Sequence, residues 1–304
     1  MWHRGFRLSP TGIEALRQCP RKYQLDRLKT VKTHEGNIIY DDSSQVHFDY
    51  GKGMEEGITS YLIHGSLDRA LVDMWLAYDV KYESENKTLE SLVSGLKSFA
   101  LSWPINEWAL EKPQLGFKID FEDEFGGYYC GYIDAVIKNV VTGTLATIEC
   151  KTTGGNGSYL EAGYQNTEQA LAYPAITSFV TKNKDFNLAC LYVIAVLNKQ
   201  WVPKIEFKSF PKTRSLMLEW LLGLKLTYEN ELKKYVELDF WPMRGTNCKS
   251  YNKPCYHFGI CHLASPNAPA DPDFWLDNLP SKEEEKFDYE IKFSELFNWI
   301  NSLD

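Results

Sequence analysis

Gly131-Tyr-Ile-Asp-Ala-Val-Ile-Lys138, followed by Ala146-Thr-Ile-Glu-Cys-Lys-Thr152, is the stretch from which the fold is read. Both segments are rich in β-branched and aromatic residues, and Val141-Thr-Gly-Thr144 separates them as a turn, so they read as two strands of a hairpin. Side chains alternate across a strand, which puts Glu149 and Lys151 on one face. Asp134, on the neighbouring strand, can join them. Two carboxylates and an amine at one point suit a hard divalent cation, with a water beside a phosphate.

Working outward, the middle of the chain has the period of a sheet. Leu115–Glu124, Gly127–Lys138 and Thr144–Thr152 read as an antiparallel meander, with Asn187–Leu197 and Lys204–Phe210 as two further strands. Gly154-Gly-Asn-Gly is a break. Tyr159–Thr181 reads as a helix that Pro174 bends or divides, and Lys212–Val236 as a long amphipathic helix. Before the meander the pattern is helical. Ser9-Pro-Thr-Gly is a helix-entry signal, helices flank Pro20, residues 30–48 read as loop, and helices are expected at Tyr50–His64, 67–82 and 87–103. Ser281–Leu303 reads as a final helix. These patterns predict an α/β chain with a mixed central sheet flanked by helices.

Composition narrows the function. With 33 Lys+Arg against 41 Asp+Glu the net charge is −8, which argues against coating nucleic acid through a broad basic surface but leaves room for a local basic groove. Arg17, Arg21, Lys22 and Arg27 are candidates for such a path, or are solvated helix charges. Trp103, Trp108, Trp201 and Trp220 are core residues or base-stacking platforms. The amino terminus lacks the apolar run of a signal peptide and no segment has the length of a membrane span, so the expectation is a cytoplasmic protein without membrane contact. Seven cysteines in such a chain point to burial or metal binding rather than disulfides. Cys130, Cys150 and Cys190 fall in apolar strands and read as small core residues. Cys19, Cys248, Cys255 and Cys261 do not.

Gln165, Gln169 and Tyr173 recur every four residues on the helix after the hairpin and share its face. The succession Gly-x-x-Asp, Glu-x-Lys and Gln-x-x-x-Tyr resembles the PD-(D/E)XK nuclease superfamily in its RecB-like branch. The resemblance implies a restriction-endonuclease-like core. It makes Asp134 and Glu149 ligands of Mg²⁺ or Mn²⁺ and Lys151 the group that assists the attacking water; strand geometry adds the carbonyl of Cys150 as a further ligand between the two carboxylates. Gln169 and Tyr173 become the helix motif. An upstream helix of the family carries a His or Glu metal ligand after a glycine-containing turn. Tyr50-Gly-Lys-Gly-Met-Glu-Glu56 is similar, with Glu55 best placed and Glu56 beside it.

Leu16-Arg-Gln-Cys-Pro-Arg-Lys-Tyr23 resembles the amino-terminal segment of the iron–sulfur members of that branch, which pair one early cysteine with three late ones. Here the set is Cys19 with Cys248, Cys255 and Cys261, implying a four-iron four-sulfur cluster that joins the two ends of the chain. The family commonly has two residues between its second and third cysteines, whereas this chain has Lys249-Ser-Tyr-Asn-Lys-Pro254. Zinc, with His257 or His262 as substitute ligands, therefore stays open.

The organisation that follows is an amino-terminal segment with the first cysteine (1–29), a helical region with the upstream acidic motif (30–110), the nuclease core (111–240), a cysteine-rich segment (241–265), and a linker with an acidic helix (266–304). The expected activity is hydrolysis of single-stranded DNA or DNA ends, as in CRISPR-associated RecB-like exonucleases and the versions carried by bacteriophages, which would act in the host cytoplasm. A protein partner on the terminal acidic helix is a further expectation. The competing readings are a non-catalytic DNA-binding adaptor and a zinc-stabilised interaction protein.

Overall fold

The computed structural model describes residues 7–25, 29–31, 42–78, 86–153, 160–184, 189–197, 203–245, 248–250, 253–255, 257, 261, 275–277 and 286–303. The amino-terminal part runs through β1 (Arg7–Leu8), α1 (Pro10–Gln18), α2 (Pro20–Tyr23) and β2 (Lys29–Val31), then α3 (Asp42–His64), α4 (Leu67–Ala77) and α5 (Leu89–Ser102). The hairpin strands follow as β3 (Trp108–Asp120), β4 (Tyr128–Asn139) and β5 (Leu145–Thr153). Next come α6 (Leu160–Tyr164), α7 (Glu168–Thr181), β6 (Ala189–Val196), β7 (Lys204–Pro211) and α8 (Arg214–Thr227). A π-helical turn at Tyr228–Leu232 leads into α9 (Lys233–Glu237), and the chain ends through β8 (Lys249–Ser250), β9 (Lys253–Pro254), β10 (Trp275–Asp277), β11 (Tyr289–Lys292) and α10 (Phe293–Asn301).

One mixed sheet of seven strands organises these elements, in the order β11-β3-β4-β5-β6-β7 with β1 beside β4. The β3–β4–β5 meander is antiparallel, β5 and β6 are parallel across the α6–α7 crossover, and β7 returns antiparallel to β6. The parallel pair needs that crossover because a tight turn cannot join two strands running the same way. Helices cover both faces. Phe117, Tyr129 and Ile133 pack with Tyr173, Trp220, Leu296 and Ile300 on one side. Ile137, Ile148 and Val193 pack with Met54, Ile58, Met74, Leu96 and Phe99 on the other. Thr167 and Thr213 cap α7 and α8, each side-chain oxygen accepting a backbone N–H three residues on.

Several sequence expectations shift. α3 begins at Asp42 rather than Tyr50, because its first turns carry exposed His47 and Phe48 and no apolar stripe by which to read a helix. β3 begins at Trp108, seven residues before Leu115. Its first half contains Pro113 and a register shift between Leu110 and Lys112, which hides the strand alternation. The break expected at Pro174 falls instead at residues 165–167, ahead of the Thr167 cap. Pro174 stays buried inside α7, where it removes one intrahelical bond without ending the helix. The last segment is a strand and then a helix. Tyr289-Glu-Ile-Lys292 alternates with period two and pairs in parallel with β3, and α10 buries Phe293, Leu296 and Ile300 in this chain's own core. The apolar side of the terminal helix is thus occupied within the chain, and the acidic run at 281–285 lies outside the described residues. Cys130 and Cys190 are fully buried, as their strand positions predict. No helix among the described residues is long and apolar enough to cross a membrane.

One buried cation sets a stability prediction. Lys87, at 8% exposure, lies with its ammonium 5.6 Å from the centroid of the Tyr50 ring, and burial pulls its pKa down to about 8. The depressed value means that the charged form destabilises the fold at pH 7, and that this cost fades as pH rises from about 8 towards the ordinary 10.5. Lys87→Met, which keeps the stem and drops the charge, is expected to stabilise the protein at pH 7 by about 1–3 kcal/mol. In urea unfolding the gain should vanish above pH 10; an unchanged or lower midpoint at pH 7 contradicts it.

Candidate active site

The ladder between β4 and β5 runs from Lys138↔Leu145 to Ala135↔Ile148 and then stops. Asp134 and Glu149 are the next residues on either side of the fork. There the Asp134 carboxylate, rather than a strand carbonyl, accepts the Cys150 N–H, at 2.8 Å. A strand residue's N–H and C=O point towards the same neighbour, so the Cys150 carbonyl is turned to the fork as well. Glu149 and Lys151 share a face as the strand period requires, and the Lys151 ammonium pairs directly with Glu149 Oε1. β5 continues to Thr153 along β6, and this pairing holds Glu149 and Lys151 rigid on the far side of the fork.

Helix α7 lies against this point. Gln169 Nε2 donates to Glu149 Oε1 at 2.6 Å and lies 3.2 Å from Tyr173 Oη, whose hydroxyl donates to the Tyr132 carbonyl on β4 at 2.9 Å. The two helix residues therefore tie β4 to β5 where their ladder has ended. Gln165 does not join them: it is exposed on the α6–α7 turn, and its backbone carbonyl accepts from the buried Lys212 ammonium. From the opposite face comes α3. Gly51 brings its backbone to β5, a Cβ added there lying 3.9 Å from Thr152 Oγ1. One turn on, Glu55 is half-buried and feels both Glu149 and Asp134, whereas Glu56 is exposed. Of the two glutamates, Glu55 faces the fork.

Electrostatics sets these carboxylates against one another. Burial is the largest cause raising the pKa of Asp134, followed by the nearby charges of Glu149 and Glu55. Glu149 is also raised by burial, against the opposing pull of Lys151 and Gln169, and Glu55 by burial and then Glu149. Lys151 moves upward, because its carboxylate partners outweigh its burial. Glu149 Oε2 is buried and has no hydrogen-bond partner among the described residues. Three carboxylates that repel one another around an orphaned oxygen fit a hard divalent cation by donor chemistry. Among the described residues no three His, Cys, Asp or Glu side chains already form a group that could hold a metal ion.

The four remaining cysteines form no such group among the described residues, but they lie on segments that meet. Cys19 sits between α1 and α2, where the Arg21 N–H donates to the Pro242 carbonyl at 3.2 Å and the Tyr23 ring stacks on Trp241 at 6.0 Å. The Cys255 N–H donates to the Cys248 carbonyl at 2.7 Å across the β8–β9 hairpin, and the Cys261 N–H to the His257 carbonyl at 2.8 Å. Burial is the largest cause raising the pKa of the Cys261 thiol, opposed by Arg21 and added to by Cys19, Cys248 and Cys255. His262 lies outside the described residues.

Other sequence candidates settle as structure. Trp103 and Trp220 are core, Trp108 is half-buried, and Trp201 lies outside the described residues. Arg17 pairs with Glu168, a buried α7 carboxylate that also accepts from Trp220 Nε1 at 2.9 Å. Glu168 had no signal in the sequence, since a glutamate in a first helical turn normally faces solvent. Arg21 is buried and so leaves the proposed DNA path.

Fold and site together define a mixed α/β chain with a carboxylate–lysine centre at a fork of its sheet. No protein-family model matches the chain, and no curated protein matches it. Among solved structures it is similar to the crystal structure of a "Putative exonuclease" from Eubacterium rectale, with 13% identity over 84% of this chain and 92% of that one and a TM-score of 0.44.

Proposed function

We propose that the protein is a metal-dependent deoxyribonuclease of the PD-(D/E)XK type, with a restriction-endonuclease-like core of the RecB-like branch, acting on single-stranded DNA or DNA ends. The observation that carries this reading is the fork: Asp134 and Glu149 end the β4–β5 ladder side by side, and Lys151 and Gln169 both engage Glu149. Asp134, Glu149 and Glu55, with the Cys150 carbonyl, would hold Mg²⁺ or Mn²⁺. When bound, that ion would polarise a phosphoryl oxygen and acidify a water. Glu149 holds Lys151 in its charged form, so the lysine serves as a donor that orients the water and offsets phosphate charge. Gln169 and Tyr173 fix the carboxylate face of Glu149 and keep β4 and β5 in register around it. Cys19, Cys248, Cys255 and Cys261 would carry a four-iron four-sulfur cluster that clamps the two ends of the chain; four thiolates are the soft ligand set that such a cluster takes.

The test is digestion of end-labelled linear and circular single-stranded DNA with Mg²⁺ or Mn²⁺. Loss of the linear strand with the circle left intact supports an end-dependent nuclease. Cutting of both keeps the chemistry and refutes end dependence, and cutting of neither refutes the nuclease.

A further inference from the structure

Tyr164 closes α6 beside the fork, and its ring is held in two places. One face stacks on Tyr192, with centroids 5.0 Å apart and planes 25° from parallel. The hydroxyl is hydrogen-bonded to the Thr153 side chain. Both anchors belong to the sheet face that carries the carboxylate–lysine centre. Tyr192 stands opposite Glu149 in the β5–β6 register, so the two side chains leave the sheet on the same side. Thr153 follows Lys151 by two residues on β5 and shares its face. A ring that reaches from Tyr192 to Thr153 therefore passes beside Lys151. Burial raises the pKa of its hydroxyl and the charge of Lys151 opposes the rise, as that placement requires. The support beneath is rigid: Tyr192 is fully buried, and its hydroxyl lies 2.6 Å from the Oγ1 of Thr167, the cap of α7. Tyr164 itself is half-buried. With one face against a buried ring, what it shows to solvent is its other face and edge.

Filling the space above Tyr192 needs only an apolar side chain, whereas the bond to Thr153 also fixes the plane of the ring. A flat ring held in place beside a group that handles phosphate charge is the arrangement on which unstacked bases settle. We propose that Tyr164 is the stacking platform for the base next to the scissile phosphate, so that the strand must present an unpaired nucleotide at the fork. This rests on the nuclease reading of that fork. A base inside a duplex has neighbours on both faces, and a paired end must come unstacked before it can occupy the platform. Every base has a π-face, so the platform selects unpaired strands without selecting a sequence. Because the ring is ordered in advance, little side-chain freedom is lost when a base arrives.

The experiment follows the first cleavage of end-labelled single-stranded oligonucleotides in which one abasic position is moved along the strand, with Mg²⁺ or Mn²⁺. Wild type should show a KM raised about 5–150-fold, the range for losing one base–aromatic stack, when the abasic position falls next to the scissile bond and at no other position. Tyr164→Leu fills the space but cannot stack. On the intact strand it should show the same rise in KM with kcat nearly unchanged, and it should no longer respond to the abasic position. Tyr164→Phe keeps the ring and should stay close to wild type. A wild type that cuts but gives a flat abasic scan overturns the platform and leaves the nuclease reading intact, and so does a Tyr164→Leu with the KM of wild type. A Tyr164→Leu that melts lower and loses kcat with KM unchanged marks a packing residue and overturns it as well. If Tyr164→Leu does not fold, the abasic scan of wild type decides alone. A wild type that cuts no strand overturns the nuclease reading and this inference with it.

Discussion

Lys151→Ala is expected to reduce the turnover of DNA hydrolysis by about 10²–10⁴-fold, the range for removing one positioned proton-handling or charge-bearing group. The lysine contributes twice. Its ammonium sits against Glu149 Oε1, within reach of whatever phosphate that carboxylate helps to hold, and it lowers the cost of ionising Glu149. Without it Glu149 should be harder to deprotonate, so the variant should also need more Mg²⁺ or Mn²⁺ for half-maximal rate. Lys151 is partly exposed, two residues before the end of the β5–β6 ladder, so its truncation should leave the melting temperature within a few degrees of wild type. Lys151→Arg keeps the charge but places a planar fork where a compact ammonium stood, and should recover only part of the rate. Equal digestion by wild type and Lys151→Ala would show that the fork is not where hydrolysis happens.

How far the sequence disclosed this site follows from which physical signals are local. Glu149 and Lys151 are two residues apart on a strand, so their shared face follows from the pleat alone. Gln169 and Tyr173 share a face by the helical period. That the two faces meet is not local, yet the spacing of a strand, a crossover and a helix leaves few ways to arrange them. Asp134 could be placed beside Glu149 only through hairpin register, and it lies at the one point where that register ends. The sequence carries no mark of the fork itself, because the loss of a ladder partner leaves no trace in residue type. Glu55 and Glu56 look alike in sequence, and only the rotation of α3, set by Gly51 against β5 and by Met54 and Ile58 in the core, distinguishes them.

The fold was legible where burial imposes a period and illegible where polar residues cover an element. The first turns of α3 and the first half of β3 show no alternation to the eye, since one is exposed and the other is interrupted by a bulge and Pro113. Arg21 was misread for a related reason. A basic residue near a helix start is normally a solvated charge, and the burial of this one goes with the docking of its segment, the Arg21 N–H on the Pro242 carbonyl and the Tyr23 ring on Trp241.

The metal-free protein should pay for its carboxylates in a pH-dependent way. Asp134, Glu149 and Glu55 all have folded-state pKa values above their ordinary 3.8 to 4.5. The folded chain therefore holds protons that the unfolded chain has released, so the contribution of these groups to stability is full below about pH 4 and declines as pH rises through the raised values. Lys151 adds nothing to this window, since its own pKa is raised from 10.5 and titrates well above it. On the proposed reading a divalent cation would bind the ionised forms, so Mg²⁺ or Mn²⁺ should reverse the trend, raising the melting temperature strongly at pH 8 and weakly at pH 5. Asp134→Asn removes one of the repelling charges while keeping an oxygen for the Cys150 N–H. It should stabilise the metal-free protein at pH 8 by about 1–3 kcal/mol, flatten the decline with pH, erase most of the cation response, and abolish DNA hydrolysis. Thermal melts of wild type and Asp134→Asn from pH 5 to 8, with and without the cation, separate these terms. A wild type whose melting temperature is indifferent to the cation at pH 8 would remove the carboxylates as its ligands, and a destabilised Asp134→Asn would mean that the charge at the fork is already compensated within the chain.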